Sequence, residues 1–285
     1  MTINIDRAFV RLPGGLVHLR HVEAPEETRG GRPLLLLHAS PGSSRGLEGL
    51  MTALAGQGGA PRLIAPDMPG NGDSADLAPE APDLRWYADS LAALLDAMGL
   101  ETVDIYGSHT GARLACEMGA VHPGRVGRIV FDGIGEYSDE MKAVLLRDYA
   151  PVMQPDDYGR QLLWAFNFVR DQALHFPHFM RDPEHRLMTR AVPDAAALHG
   201  SVLEVLKGLT SYHKAYRAAF AYRTTERLPL VKAPSLLLQA ANDLPWLNAS
   251  GDTLAALMAD VELAPVPGDA DSKAALMARF LGWEA

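Results

Sequence analysis

Four short, mostly apolar stretches in the first half of the chain constrain the fold more than anything else in it. Leu34 to Leu37 reads LLLL, with Arg32 and Pro33 before it and Pro41-Gly42 soon after. A run that short and that continuously apolar suits a central strand buried on both faces. RLIAPD (62–67), TVDIYG (102–107) and RVGRIVFDGI (125–134) are of the same kind. Helical patterns lie between them: LEGLMTALAG follows the first, and WYADSLAALLDAMGL, with Leu91, Leu94, Leu95 and Met98 on one stripe, precedes the third. Strands alternating with helices predict an α/β fold, a mostly parallel central sheet flanked by helices on both faces.

From Glu136 to about Arg227 the strand-like runs stop, helical segments such as GRQLLWAFNFVRDQALHF take over, and aromatic residues and histidines become dense. The alternation resumes with APSLLLQAAND (233–243), a helix GDTLAALMAD, a strand VELAPVP and a last helix SKAALMARFLGW. The expected organisation is therefore core 1–135, a helical lid 136–227, and core again 228–285. No internal repeat or low-complexity tract interrupts it. With 285 residues, 48% of them hydrophobic, one large core with an insertion is the economical arrangement.

The formal net charge of −9 and the lack of a Lys/Arg cluster argue against a nucleic-acid surface. Cys116 is the single cysteine, so neither a disulfide framework nor a cysteine metal knuckle can form, and a reducing compartment fits. The N-terminal MTINIDRAFV is charged at Asp6 and Arg7, and no apolar run approaches the roughly 20 residues that span a bilayer. The expectation is a soluble cytoplasmic protein whose partner is a small molecule, with neither nucleic acid nor membrane; a homodimer is compatible with it.

GSHTGA (107–112) joins the strand VDIYG to a helical pattern, ARLACEMGAVH. HASPGSS (38–44) and APDMPGNGDS (65–74) precede it, and PSLLLQAANDLPW follows, with Asp243 at the strand tip. In this order the four stretches resemble the α/β-hydrolase fold: the H-G-x-P-G-S turn, the A-P-D-x-P-G-x-G-x-S loop, the G-x-S-x-G nucleophile elbow and the strand that delivers the acid. The resemblance covers most of the chain outside 136–227 and speaks for the fold rather than for a reaction. The glycines set the frame, since Gly107 and Gly111 flank a sharp strand-to-helix reversal and the residue between them is thrust outward. That residue is His109, where the family has serine. Ser108 is one position out of frame. VPGDADS places Asp271 where the family has its histidine, and no histidine occurs beyond His213, so the usual relay of acid, imidazole and hydroxyl is missing.

An imidazole held by a carboxylate is a competent general base near neutral pH, and histidine can also attack directly. Asp243 is the expected orienting carboxylate, Asp132 after IVFDGI is a second location for the acid, and Asp271 either reaches His109 or caps the last helix. His109, Asp243 and Asp271 would also make a one-histidine, two-carboxylate metal set, but the resemblance implies catalysis with neither metal nor cofactor. It further implies an oxyanion hole from the backbone N–H groups of Thr110 and Ser40. Candidate substrate contacts are His38, otherwise a bridge between loops, and the lid residues Trp164, Phe168, His175, His178 and Tyr212. At least half of the lid aromatics are expected to pack instead. HFPHF (175–179), interrupted by Pro177, reads as a kinked or loop segment presenting a histidine downward. The expected activity is hydrolysis of a small apolar or aromatic ester, amide or lactone. Lyase, decarboxylase, cyclase or cofactor-free oxygenase chemistry, and ligand binding without catalysis, are the rivals.

Overall fold

The computed structural model describes residues 3–188 and 190–283. The leucines of the first predicted strand are all fully buried and divide by parity, as a pleated strand requires. Leu35 and Leu37 join one core layer with the helices at Leu84–Ala97 and Thr110–Val121. Leu34 and Leu36 join the opposite layer, with the helices at Glu48–Ala55 and Ala270–Leu281. A strand with both faces covered has no solvent side, which is why the run lacks polar alternation.

Eight strands form one sheet: β1 (Asp6–Leu12), β2 (Gly15–Val22), β3 (Leu34–Leu37), β4 (Leu63–Pro66), β5 (Val103–Ser108), β6 (Val126–Asp132), β7 (Ser235–Ala240) and β8 (Val261–Val266). Their order is β1-β2-β4-β3-β5-β6-β7-β8. From β4 onward the neighbours are parallel, and β1 and β2 pair antiparallel at one edge. The edge hairpin has no counterpart in the predicted strands. β1 is only partly buried and mixes arginine and aspartate into its alternation, so it lacks the continuous apolar signal. The local clue is Pro13-Gly14-Gly15 between two alternating runs, and Gly14 turns with φ 92°.

The helices are α1 (Glu48–Ala55), α2 (Leu84–Ala97), α3 (Thr110–Val121), α4 (Asp139–Asp148), α5 (Arg160–Gln172), α6 (Ala195–Lys207), α7 (Tyr212–Ala221), α8 (Thr224–Arg227), α9 (Pro245–Ala249), α10 (Gly251–Ala255) and α11 (Ala270–Leu281). Between β6 and β7 the chain is helical, α4 to α8, with no named strand among the described residues. These helices bury an aromatic cluster of their own, including Tyr149, Phe168, Tyr212, Tyr216 and Phe220. Among the described residues no helix is long and apolar enough to cross a membrane.

Candidate active site

β5 ends at Ser108 and α3 begins at Thr110, leaving His109 as the pivot with φ 49° and ψ −102°. It is the one non-glycine residue with positive φ among those described, a conformation that costs of order 1–3 kcal/mol unless its surroundings enforce it. The surroundings do enforce it. The His109 N–H donates to the Asp132 carbonyl on β6 at 2.8 Å, and the His109 carbonyl accepts from Ala112 and Arg113, both at 3.1 Å. The flanking glycines are sterically required. A Cβ on Gly107 would lie 2.3 Å from the Gly111 carbonyl oxygen, and one on Gly111 would lie 2.2 Å from that of Leu37. Both belong to the frame that centres His109.

The imidazole Nε2 stands 3.6 Å from Asp243 Oδ1, with the histidine side chain 40% exposed and the aspartate 7%. Asp243 follows β7, so neighbouring parts of the sheet's carboxyl edge supply the two groups. Its Oδ1 also accepts the Leu244 N–H at 2.7 Å. Arg190 donates to the Asn242 carbonyl at 2.7 Å and comes within 3.9 Å of Asp243. Gly133, just past β6 with φ 77°, leaves room for the pair, since a Cβ there would fall 2.7 Å from His109 Cε1 and 2.8 Å from Asp243 Oδ2. The glycine in F-D-G-I was the available sequence signal.

His109 and Asp243 face two cavities. One, of about 210 Å³, is walled by Tyr137, Tyr149, Phe176, Tyr216 and Phe220 and includes Ser40, Thr110, Arg113 and Gln172. Thr110 is the first residue of α3, where helical N–H groups have no intrahelical acceptor, and among the described residues no backbone acceptor takes the Ser40 N–H. The other cavity, of about 600 Å³, is polar and lined by Ser108, Asp132, Arg190, Asn242 and Lys273 beside the dyad.

Several expected contacts lie elsewhere. The Asp132 carboxylate is engaged by the Tyr106 hydroxyl and by Lys273 Nζ, both at 2.5 Å, and does not pair with His109. Burial, reinforced by that carboxylate, holds the Tyr106 phenol well above its ordinary pKa, so its proton stays on and donates. Asp271 is exposed in the first turn of α11 and lines neither cavity. It therefore completes no metal set with His109 and Asp243. Nor does it cap α11, because Asp269 does so by accepting the Ser272 N–H at 2.8 Å. His38 is buried with both ring nitrogens used: Nε2 accepts from the Met68 N–H at 2.9 Å, and Nδ1 bonds the Ala39 carbonyl at 3.0 Å. Burial pushes its pKa down, which suits a neutral bridge between loops.

Trp164, Phe168, Tyr212 and His178 pack on one another rather than on the dyad's cavities. Trp164 stacks on Phe168 at 4.9 Å, His178 sits edge-on to Phe168 at 4.7 Å, and the Tyr212 hydroxyl donates to the Pro151 carbonyl at 2.5 Å. His178 also bonds the Tyr149 carbonyl at 3.0 Å, and burial lowers its pKa. His175 reaches neither cavity wall. Residues 175–179 do form a non-helical segment, but the side chain they present to the aromatic cavity is Phe176. Helical spacing cannot tell the inner stripe of α7 from the stripe facing its own helical neighbours, so Tyr216 and Phe220 were not separable from Tyr212. Lys273 and Arg190 carried no local signal.

Exchanging Asp269 for alanine is expected to lower the thermal midpoint while turnover stays, whereas Asp271→Ala changes neither. The Ser272 N–H holds the Asp269 carboxyl below its usual range, so this stabilisation is present at neutral pH and fades as pH falls through the folded-state value. Thermal scans of both variants at neutral and acidic pH check it.

A sequence profile described as the alpha/beta hydrolase fold matches residues 32–262. A 2-hydroxy-6-oxononadienedioate/2-hydroxy-6-oxononatrienedioate hydrolase of Pseudomonas putida is 32% identical over 146 residues, 47% of this chain and 49% of that protein. The chain thus spans about half the length of this curated relative. A proline iminopeptidase of Lactobacillus helveticus is 25% identical over 232 residues, 74% of each protein. Among solved structures, an alpha/beta hydrolase from a Medee basin deep-sea metagenome library superposes with a TM-score of 0.73 at 15% identity, covering 98% of both chains. The enol-lactonase of Burkholderia xenovorans gives 0.69 at 16% identity, covering 96% of this chain and 100% of that one. At such identities the likeness speaks for the fold.

Proposed function

Because the chain belongs to the α/β-hydrolase fold family, we propose that it hydrolyses a small apolar or aromatic carbonyl compound, an ester, amide or lactone, with His109 as general base. The observation that carries this reading is the imidazole held at the strained pivot, 3.6 Å from the Asp243 carboxylate and in the wall of both cavities. Strain persists where the surroundings over-determine it, and such positions cluster at sites that use them.

The acyl portion sits in the aromatic cavity, and its carbonyl oxygen lies toward the N–H groups of Ser40 and Thr110. Water on the polar side gives its proton to His109 as it attacks the carbonyl carbon. Asp243 stabilises the imidazolium that forms, and the two N–H groups hold the oxyanion. The leaving oxygen or nitrogen then takes the proton from His109. A volume of about 210 Å³ is below the roughly 300–1,000 Å³ of ordinary small-molecule pockets, so the acyl group is compact. The helices between β6 and β7 act in this reading as the lid that keeps it dry.

The test is a panel of aryl esters and enol lactones run on the wild type and two variants. Asp243→Asn is expected to lower turnover by about tenfold to a hundredfold, through loss of the carboxylate charge that stands 3.6 Å from the imidazole, an attraction worth about 1–4 kcal/mol at such a separation near a protein surface. Ser108→Ala is expected to stay within a few-fold of wild type. Loss of turnover in Ser108→Ala with His109→Ala still active would overturn the assignment. Intact-mass measurement during turnover separates base from nucleophile, since only direct attack leaves an acyl adduct on His109.

A further inference from the structure

His109 stands between two chambers of opposite character, and the larger one is not the one that suits the acyl group. The aromatic chamber is about 210 Å³ and the polar chamber about 600 Å³, and His109, Asp243 and Arg190 line both. A hydrolytic water needs a share of only about 30 Å³, so the polar side has room for a much larger nucleophile. On this side the turn after β8 contributes Pro267 and the first turn of α11 contributes Lys273, and no imidazole. Lys273 is turned onto Asp132, and Asp271 points to solvent.

The lining selects the chemistry of what fits. Two carboxylates, Asp132 and Asp243, are matched by two cations, Lys273 and Arg190, at 2.5 and 3.9 Å. With its charges paired internally, the chamber favours neither an anion nor a cation. It does offer both hydrogen-bond senses: Asn242 spends its amide N–H on the Gly268 carbonyl at 3.2 Å, which leaves its side-chain oxygen to accept, and the Lys273 ammonium has further N–H groups to donate. A neutral compound with several hydroxyls, each able to donate and accept, matches such a wall.

We infer that this site also transfers acyl groups, from an ester in the aromatic chamber to a neutral polyol in the polar chamber, with His109 serving as base for the acceptor hydroxyl. The inference rests on the hydrolytic reading above. In the step, the acceptor O–H proton passes to His109 while the acceptor oxygen bonds the acyl carbon. The bond from acyl carbon to leaving oxygen then breaks, and the leaving oxygen takes the proton from His109. One ester and one alcohol go in, one ester and one alcohol come out, and no oxidant or reductant is needed.

Glycerol is the probe, with a p-nitrophenyl ester as donor. Nitrophenol release measures total turnover, and mass spectrometry of the glyceryl ester measures transfer. The rate of glyceryl ester formation is expected to rise and then saturate with glycerol, as a bound acceptor requires. A strictly linear rise would mean trapping from bulk solution and would overturn the inference, as would nitrophenol release with no glyceryl ester. No release under any condition would remove the hydrolytic reading and this one together. Lys273→Met is expected to raise the half-saturating glycerol concentration about tenfold, the loss of one hydrogen bond to a charged group. Should its uncompensated Asp132 prevent folding, Ala241→Phe at the exposed rim narrows the same chamber. It is expected to lower the transfer-to-hydrolysis ratio, and a ratio unchanged in this variant would count against the chamber as the acceptor site.

Discussion

His109→Ala is expected to lower turnover of a cleaved aryl ester by about 10²- to 10⁴-fold, the contribution usual for a positioned general base. The oxyanion donors are backbone groups and survive the exchange, so residual catalysis above the water rate should remain. A companion variant, His109→Gly, separates function from architecture. The native backbone at this position has φ 49° and ψ −102°, which a residue without a Cβ adopts freely. Relief of about 1–3 kcal/mol of strain, less the roughly 0.5–1 kcal/mol that glycine costs through the unfolded chain, leaves a gain of about 1 kcal/mol. His109→Gly should therefore be more stable than wild type and as inactive as His109→Ala. Denaturant midpoints and ester kinetics on the same preparations read both quantities. A glycine variant that is less stable, or an alanine variant with full turnover, would mean that the strained imidazole is not what the site uses.

Gly111→Ala is expected to cost about 3 kcal/mol or more, at the upper end of overpacking penalties, because the methyl has nowhere to go. Its Cβ would approach the Leu37 carbonyl oxygen to 2.2 Å, the Leu37 carbonyl carbon to 2.6 Å and the His38 carbonyl oxygen to 2.9 Å. These are backbone atoms. Leu37 ends β3, whose neighbour β5 it meets at Gly107, so moving it would pull apart the two strands that hold the pivot. Exchanging Ala115, in α3 and buried in the core, for glycine serves as a control, because it adds no atoms and costs helix propensity plus one buried methyl, about 1–2 kcal/mol. Urea unfolding of both variants gives the comparison. A Gly111→Ala protein as stable as wild type would imply that β3 and α3 are not locked as described.

The fold was legible to the extent that its signals are local. LLLL at Leu34 to Leu37 has no polar position to face water, so it had to be covered on both sides, and both layers are present. The edge hairpin was not legible because partial burial of β1 lets arginine and aspartate into the pattern. At the site, the two glycines of GSHTGA specify which residue occupies the pivot, since their clashes are with atoms of the same turn and the adjoining strand end. Asp243 could be named because the tip of a strand is a position that sequence can count to.

Which side chains meet across long separations was another matter. Asp132, 26 residues from Tyr106 and 141 residues from Lys273, is claimed by both of those groups rather than by His109. Trp164, Phe168 and Tyr212 turn toward each other while Phe176, Tyr216 and Phe220 face the cavity. Helical periodicity assigns a residue to a stripe, and several stripes of one helix are buried here, against different neighbours. By itself the amino-acid order determined the covered parallel sheet, the reversal at 107–111 and the imidazole at its apex, all consequences of sterics and burial within a few residues. The tertiary structure alone decided that Asp132, the second candidate carboxylate, is neutralised by Lys273 instead of standing beside that imidazole. It also decided that one aromatic face closes a chamber while another fills a core, because those outcomes depend on how separately folded elements are rotated against one another.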